Sequence, residues 1–264
     1  MLGKAYVGVG GWTYEPWRNN FYPKGLAQAR ELQFAAQHLT AIEINATFYG
    51  LQKRGSWIKW ANSVPDGFVF TVKASRYCTN RRVLAEAGES IARFTGQGLA
   101  ELGPKLGPIL WQFAGTKTFE REDFASFLNL LPRDVEGITL RHALEPRHSS
   151  FACAEFVGLA RDHGCAIVFA AHDSYPMIAD LTAPFVYARL QQSRAEEANG
   201  YEDADLDRWA STVRVWTRGK VPEDLPYVAR RSAAASARDA YVFFISGAKE
   251  RNPAAAMRLI DKLS

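Results

Sequence analysis

The sequence predicts an α/β fold of the (β/α)8 TIM-like barrel type, a single domain over residues 1–264. Three observations point to it. The chain has 264 residues, 47% of them hydrophobic, which suits one large barrel with a sizeable core. Eight short apolar runs, rich in Val, Ile and Phe with little polar interruption, match strands covered on both faces. Helical patterns lie between them, and the strand starts fall about 20 to 55 residues apart, the rhythm of repeated β-α units.

The first strand is read at Ala5–Val9. It runs into Gly8-Val9-Gly10-Gly11-Trp12, whose spacing does not match the G-x-G-x-x-G turn of an open doubly wound sheet, the rival architecture. A helix over Ala29–Leu39 carries Leu32, Ala35, Ala36 and Leu39 on one stripe. The second strand is Ala41–Asn45, the third Phe68–Lys73 and the fourth Pro108–Phe113. Phe124, Phe127, Leu128 and Leu131 mark a helix over Phe119–Leu131. The fifth strand is Ile138–Glu145, and Pro146, which cannot donate to a ladder, marks its exit. A helix over Cys153–His163 stops at Gly164. The sixth and seventh strands are Cys165–Asp173 and Phe185–Gln191, followed by a helix over Asp205–Trp216 with Leu206, Trp209, Val213 and Trp216. Gly219–Asp239, with two prolines and then Arg230 and Arg231 among several Ala and Ser, reads as an excursion before the eighth strand, Tyr241–Ser246. The last helix, Pro253–Leu263, opens on proline.

Lys and Arg number 32 and Asp and Glu 28, a net charge of +4. So mild a surplus permits an anionic partner without demanding one. No apolar run approaches the ~18–20 residues of a membrane span, and the N-terminus lacks a secretory pattern, so a cytoplasmic protein off the membrane is expected. Cys78, Cys153 and Cys165 are scattered without a C-x-x-C pair, consistent with free thiols in a reducing compartment. Neither a Walker P-loop nor Gly-x-Ser-x-Gly occurs, no catalytic triad is legible, and no cofactor is expected. Nothing in the sequence signals an oligomeric state.

In such a barrel, chemistry sits at the carboxyl ends of the strands. Strand alternation selects the residues that share a face. In Ile42-Glu43-Ile44-Asn45 the isoleucines pack outward, which turns Glu43 and Asn45 inward. The same phase turns in Lys73, Gln112, Glu145 with Arg147, Asp173, and Arg189 with Gln191. Glu43, Glu145 and Asp173 are the candidate catalytic carboxylates, facing Lys73, Arg147 and Arg189. Buried charges must pair, so a purely structural salt-bridge network at the barrel mouth is the alternative. Trp12, Asn45, Tyr49, Gln112 and His148 join the three cations as candidate substrate-binding residues. Trp12, Tyr14, Trp17, Phe48, Tyr49 and Tyr201 suggest an aromatic rim, either packing or a platform for a ring. His172 is expected to pack against the outer helices, and His38, His142 and His163 to lie at helix ends or on the surface. A metal site built from His148, His172 and the carboxylates is disfavoured, because neighbours on a strand point apart and the cations repel a metal ion.

The sequence resembles a known family at these residues. Gly10-Gly11-Trp12-Thr13-Tyr14 with Trp17 and Phe21-Tyr22-Pro23 resembles the opening of the domain-of-unknown-function-72 (YecE-like) family. Glu43-Ile44-Asn45-Ala46-Thr47-Phe48-Tyr49 and Phe68-Val69-Phe70-Thr71-Val72-Lys73 resemble its second and third strands. Lys105-Leu106-Gly107-Pro108-Ile109-Leu110-Trp111-Gln112 is similar to the fourth, Glu145 with Arg147-His148 to the fifth, and Phe185-Val186-Tyr187-Ala188-Arg189-Leu190 to the seventh. The resemblance implies a β/α barrel with a polar pocket at the strand ends and implies no activity. The chain departs from the family pattern where Asn80 and Gln191 stand for typical histidines, and where Ile245-Ser246 stands for typical asparagines. Asn and Gln keep hydrogen bonding and lose titration.

Two functional classes follow. The first is an enzyme, a hydrolase, lyase or isomerase, acting on a small polar or anionic molecule with Glu43 or Glu145 as acid or base. Gln112 and Arg189 at the fourth and seventh strand ends disfavour the large barrel-glycosidase group, which carries carboxylates there. The second is a nucleic-acid-binding or repair-linked protein using Arg76, Arg81, Arg82 and the rim aromatics. A noncatalytic ligand binder or degenerate family member is the remaining alternative.

Overall fold

In the computed structural model, which describes residues 2–229 and 236–264, eight parallel strands close a barrel. They are β1 (Ala5–Gly10), β2 (Ala41–Ile44), β3 (Val69–Lys73), β4 (Leu106–Gln112), β5 (His142–Glu145), β6 (Ala166–Ala171), β7 (Phe185–Leu190) and β8 (Asp239–Phe244). Around the barrel they run in sequence, and β1 pairs with both β2 and β8. The described helices of eight or more residues are α1 (Glu31–His38), α2 (Arg54–Asn62), α3 (Gly88–Thr95), α4 (Arg121–Asn129), α5 (Ala154–Asp162), α6 (Asp203–Thr217) and α7 (Asn252–Leu263). The closed barrel agrees with the expectation. Among the described residues no helix is long and apolar enough to cross a membrane.

Alternation along the strands separates two cores. Val7, Val9, Ile42, Ile44, Phe70, Val72, Ile109, Trp111 and Leu144 face outward beneath the helices. Ala41, Val69, Leu110, Ala143, Val168, Tyr187, Tyr241 and Phe243 fill the barrel interior. Each large side chain so buried stabilises the fold by about 1.5–3 kcal/mol. At Gly8 a Cβ would stand 1.7 Å from the Ala41 carbonyl oxygen, so the close approach of β1 to β2 requires glycine there.

Three expectations are corrected. The fifth strand does not start at Ile138: Ile138–Thr139 pairs antiparallel with Asp134–Val135. Glu136 and Gly137, both at positive φ, make the turn between them. The barrel strand begins at His142, which is buried rather than exposed. Trp111 Nε1 donates to His142 Nδ1 at 3.0 Å, leaving Nε2–H to donate to the Pro132 carbonyl at 2.8 Å. Burial lowers the pKa of this imidazole.

The β6–β7 connection, residues 172–184, holds no helix. Thr182 Oγ1 donates to the Cys165 carbonyl at 2.6 Å and accepts from Ile167 N–H. The Asp180 carboxylate accepts from the N–H groups of Val228 and Ala229 at 2.8 and 3.0 Å, so the excursion after α6 is tied to this loop. Arg230 and Arg231 lie outside the described residues. The third correction is His172, which stacks on Tyr175 at 4.0 Å instead of packing on the outer helices. His38 and His163 stand at the ends of α1 and α5 as expected.

Candidate functional site

A cavity of about 760 Å³ opens at the carboxyl ends of the strands. Its side walls include Trp12, Asn45 and Tyr49, and its polar floor includes Lys73, Gln112, Arg147 and Arg189. A side chain at Gly10 would close part of this space, because a Cβ would stand 2.7 Å from Ile245 Cδ1 and 2.8 Å from Asn45 Nδ2. Trp12 is held by Tyr22, whose hydroxyl donates to its carbonyl at 2.5 Å, and by edge-on contact with Trp60.

Arg189 organises the floor. Its Nη1 donates to both Glu145 oxygens at 2.9 and 2.7 Å, and its Nε and Nη2 donate to Glu43 at 3.1 and 3.0 Å. The Tyr187 hydroxyl donates to Glu43 Oε2 at 2.7 Å and accepts from the Thr71 hydroxyl at 2.9 Å. Gln112 Nε2 donates to Glu145 Oε2 at 2.8 Å, and Arg147 Nε reaches Glu145 Oε1 at 3.2 Å. Glu43 and Glu145 are completely buried. Burial pushes the Glu145 carboxyl upward, but Arg189, then Arg147, Gln112 and Lys73 outweigh it and hold the group below the usual carboxylate range. The same burial opposes the charge of Arg189, and the two carboxylates reverse that and raise its pKa.

Lys73 ends β3 on the same interior phase. Its Nζ lies over the Phe48 ring at 4.1 Å. Burial, reinforced by Arg189 and Arg147 against the attraction of Glu43 and Glu145, brings its pKa down to about 8. Arg147 lays its guanidinium over the Tyr175 ring at 4.5 Å. Lys249, from the turn before α7, reaches the cavity over the Tyr14 ring at 4.2 Å.

Among the expected site residues, Glu43, Glu145, Lys73, Gln112, Arg147 and Arg189 come together, with Trp12, Asn45 and Tyr49 around the opening. Neither carboxylate reaches the cavity wall; both lie beneath Arg189. Asp173 stands apart: it is exposed, accepts from Gln192 Nε2 at 2.5 Å, and lines a second cavity of about 720 Å³ with Gln191 and Tyr201. Interior positions of β6 are Ala166 and Val168, so alternation directs residue 173 outward, opposite to the expectation. Tyr201 and Gln191 are likewise removed from the main opening. His148 is a loop residue whose Nδ1 meets the Ser150 hydroxyl at 2.8 Å and N–H at 3.2 Å, outside the cavity lining. Trp17 is fully buried and offers no platform.

Asn80 and Ser246, two of the family-atypical positions, line the main cavity. Thr71, Tyr187 and Lys249 were not singled out from the sequence. The first two sit two residues before Lys73 and Arg189, so strand alternation carried a signal for them; Lys249 lies on a loop and carried none. Among the described residues no group of three His, Cys, Asp or Glu side chains is placed to hold a metal ion. Cys78 and Cys165 are buried, which pushes both thiols up to about 12 and makes them poor nucleophiles.

The family profile for "Protein of unknown function DUF72" matches residues 6–264. The fold is similar to that of the DUF72 family protein TM1631 from Thermotoga maritima MSB8, with a TM-score of 0.74 and 21% identity over 98% of this chain and 99% of that one. It is also similar to the DUF72 family protein EF0366 from Enterococcus faecalis V583, with a TM-score of 0.70 and 16% identity over 98% and 95%. The UPF0759 protein YunF of Bacillus subtilis (strain 168) is 31% identical over 77 residues, which span 29% of this chain and 26% of that relative's length.

Proposed function

The chain belongs to the DUF72 family of unknown function, and from that premise we propose that it is an enzyme acting on a small anionic molecule bound in the cavity at the strand ends. One observation carries this reading: Lys73, Arg147, Arg189 and Lys249 line the cavity, and among the described residues no Asp or Glu side chain does. The volume of about 760 Å³ suits a single metabolite-sized ligand. The two carboxylates that balance Arg189 lie below, where they fix its fork without meeting the ligand. A phosphate or carboxylate group would sit against Arg147 and Lys249. Negative charge developing on the reacting part would face Arg189, whose fork the two carboxylates hold in place before reaction.

With neither carboxylate on the wall, two carboxyl groups cannot flank a scissile glycosidic bond. The reading therefore favours a lyase or isomerase over a glycoside hydrolase. A second reading, nucleic-acid binding, draws on the turn after β3, where Arg76 and Arg82 are exposed and Tyr77 is 62% exposed. The test is a native mass-spectrometric survey for a co-purified anion, followed by titration with inorganic phosphate and citrate. Wild type should bind at least one of them and Arg147→Met should bind it at least tenfold more weakly. Absence of anion binding, or equal binding by the variant, would overturn the reading.

A further inference from the structure

We infer that Lys73 is the nucleophile of this cavity: its side-chain amine condenses with the carbonyl carbon of a small aldehyde or ketone that carries an anionic group, forming an imine. The inference rests on the reading of this cavity as the site of an anionic substrate and names the functional group on which that substrate reacts.

The argument begins with the partners of the lysines. Lys105 Nζ donates to the carbonyls of Ala61 and Val64 at 2.7 and 2.8 Å. Lys117 is held by Asp123 and the Arg82 carbonyl, both at 2.7 Å, and Lys262 by Asp203 and Asp207. These amines are engaged as donors. Lys73 Nζ faces the cavity, and its contact is the face of Phe48. Among the described residues no carboxylate or hydrogen-bond acceptor holds it. The carboxylates whose charge acts on it, Glu43 and Glu145, are both taken up by Arg189.

The charged groups facing Lys73 act in both directions. Arg189 and Arg147 disfavour its ammonium form, Glu43 and Glu145 favour it, and burial disfavours it most, leaving a pKa of about 8. A useful fraction of free amine is then present near neutral pH, as an imine-forming lysine requires. Lys249, the other lysine on the wall, lies over Tyr14 and Trp17 on the loop before α7. It is placed to meet the anionic tail rather than the carbonyl.

The step balances without a further reagent. The Nζ lone pair attacks the carbonyl carbon, and the carbonyl π pair moves to oxygen beside the Arg189 and Arg147 guanidiniums. The two amine protons pass to that oxygen, the C–O bond breaks, water leaves and the C=N bond forms. Nothing is oxidised or reduced. Once protonated, the imine draws electrons from the adjacent carbon, which suits the lyase or isomerase chemistry proposed above.

The test uses pyridoxal 5′-phosphate as a probe, since it joins an aldehyde to a phosphate. The full-length protein is incubated with about one equivalent, reduced with borohydride, and mapped by peptide mass spectrometry. One label per chain is expected, on Lys73, with inorganic phosphate competing. Lys73→Met and Lys73→Arg should lose it, and Lys249→Met should keep labelling at Lys73 with weaker affinity. Lys73→Arg preserves the charge, so loss of labelling in that variant cannot be blamed on misfolding if its melting temperature matches wild type. Label spread over surface lysines, or undiminished total labelling in both Lys73 variants, overturns the inference. If phosphate still binds in an Arg147-dependent way while Lys73 stays unlabelled, the imine alone falls. If phosphate binding also fails, the anionic-substrate reading falls with it.

Discussion

Arg189 on β7 holds Glu145 on β5 with one nitrogen, Nη1, bonded to both carboxylate oxygens at 2.9 and 2.7 Å, while the rest of its fork holds Glu43 across the barrel on β2. One guanidinium thus ties three strands together inside the barrel. These four hydrogen bonds need the planar fork of a guanidinium, which a lysine ammonium does not have. Arg189→Met should leave two buried carboxylates without their partner and cost about 3–5 kcal/mol in a urea titration. Arg189→Lys should lose stability as well, because a single ammonium cannot span both carboxylates. A loss under about 1 kcal/mol in either variant would show that the trio contributes little.

The same contact sets the acid limit of the fold. The Glu145 pKa in the folded protein lies below the ordinary carboxylate value of 4.5. Below that ordinary value the unfolded chain binds a proton that the folded chain does not. The stability Glu145 contributes is therefore fully present above about pH 4.5 and is lost as pH falls through the lower folded value. Glu145→Gln should flatten this limb of the stability curve between pH 5 and 2 relative to wild type, measured by urea midpoint at each pH.

Arg147 differs from Arg189 in a way that separates binding from stability. Its side chain is 22% exposed and shares one contact with Glu145, which Arg189 already satisfies. Partial hydration lowers the worth of such a pair to roughly 1 kcal/mol or less. Arg147→Met should therefore keep its melting temperature within a few degrees of wild type while losing anion affinity. A large stability loss with unchanged anion affinity would assign Arg147 to the structural network instead.

How much of this was legible depends on whether a strand carries a polar mark. In β2, β3, β4 and β7 a single Glu, Lys, Gln or Arg among apolar residues reveals the inward phase, and Glu43, Lys73, Gln112 and Arg189 meet as alternation requires. Ala166–Ala171 is apolar throughout, so nothing in the sequence fixes its phase, and Asp173 lies on the side opposite to the one expected. Loop residues escape alternation altogether, so the sequence neither excludes His148 from the cavity nor points to Lys249. Ile138-Thr139-Leu140 runs on into His142-Ala143-Leu144-Glu145 with only Arg141 between, so the sequence does not separate the second strand of the small hairpin from the barrel strand that follows it. The relation of Glu43 and Glu145 to the cavity is a matter of depth, which a period-two pattern does not contain.

Nucleic-acid binding, the second reading, makes a distinct prediction. With a net charge of +4 and exposed Arg76 and Arg82 beside the opening, any binding should be weak and should fall steeply as salt rises from about 50 to 200 mM. Fluorescence anisotropy with single-stranded and duplex oligonucleotides measures it directly. Sequence-selective binding that persists at physiological salt, and that Arg76→Ala with Arg82→Ala abolishes, would move the second reading ahead of the first.

Lys73 should leave an alkaline signature in stability whether or not it reacts. Its folded pKa of about 8 lies below the ordinary value of 10.5. Between those two values the unfolded chain holds a proton that the folded chain has released, so stability rises with pH through this window. At neutral pH both states hold the proton, and the folded state bears the cost of a poorly compensated, half-buried ammonium. Replacing it by Met removes that cost, up to roughly 3 kcal/mol from a shift of this size. Lys73→Met should accordingly be more stable than wild type at pH 7, and the two should converge by about pH 10–11. The measurement is a set of urea midpoints from pH 7 to 11. If wild type is the more stable at pH 7 and the difference does not change with pH, the Lys73 ammonium is well compensated in the fold and is not poised to lose its proton.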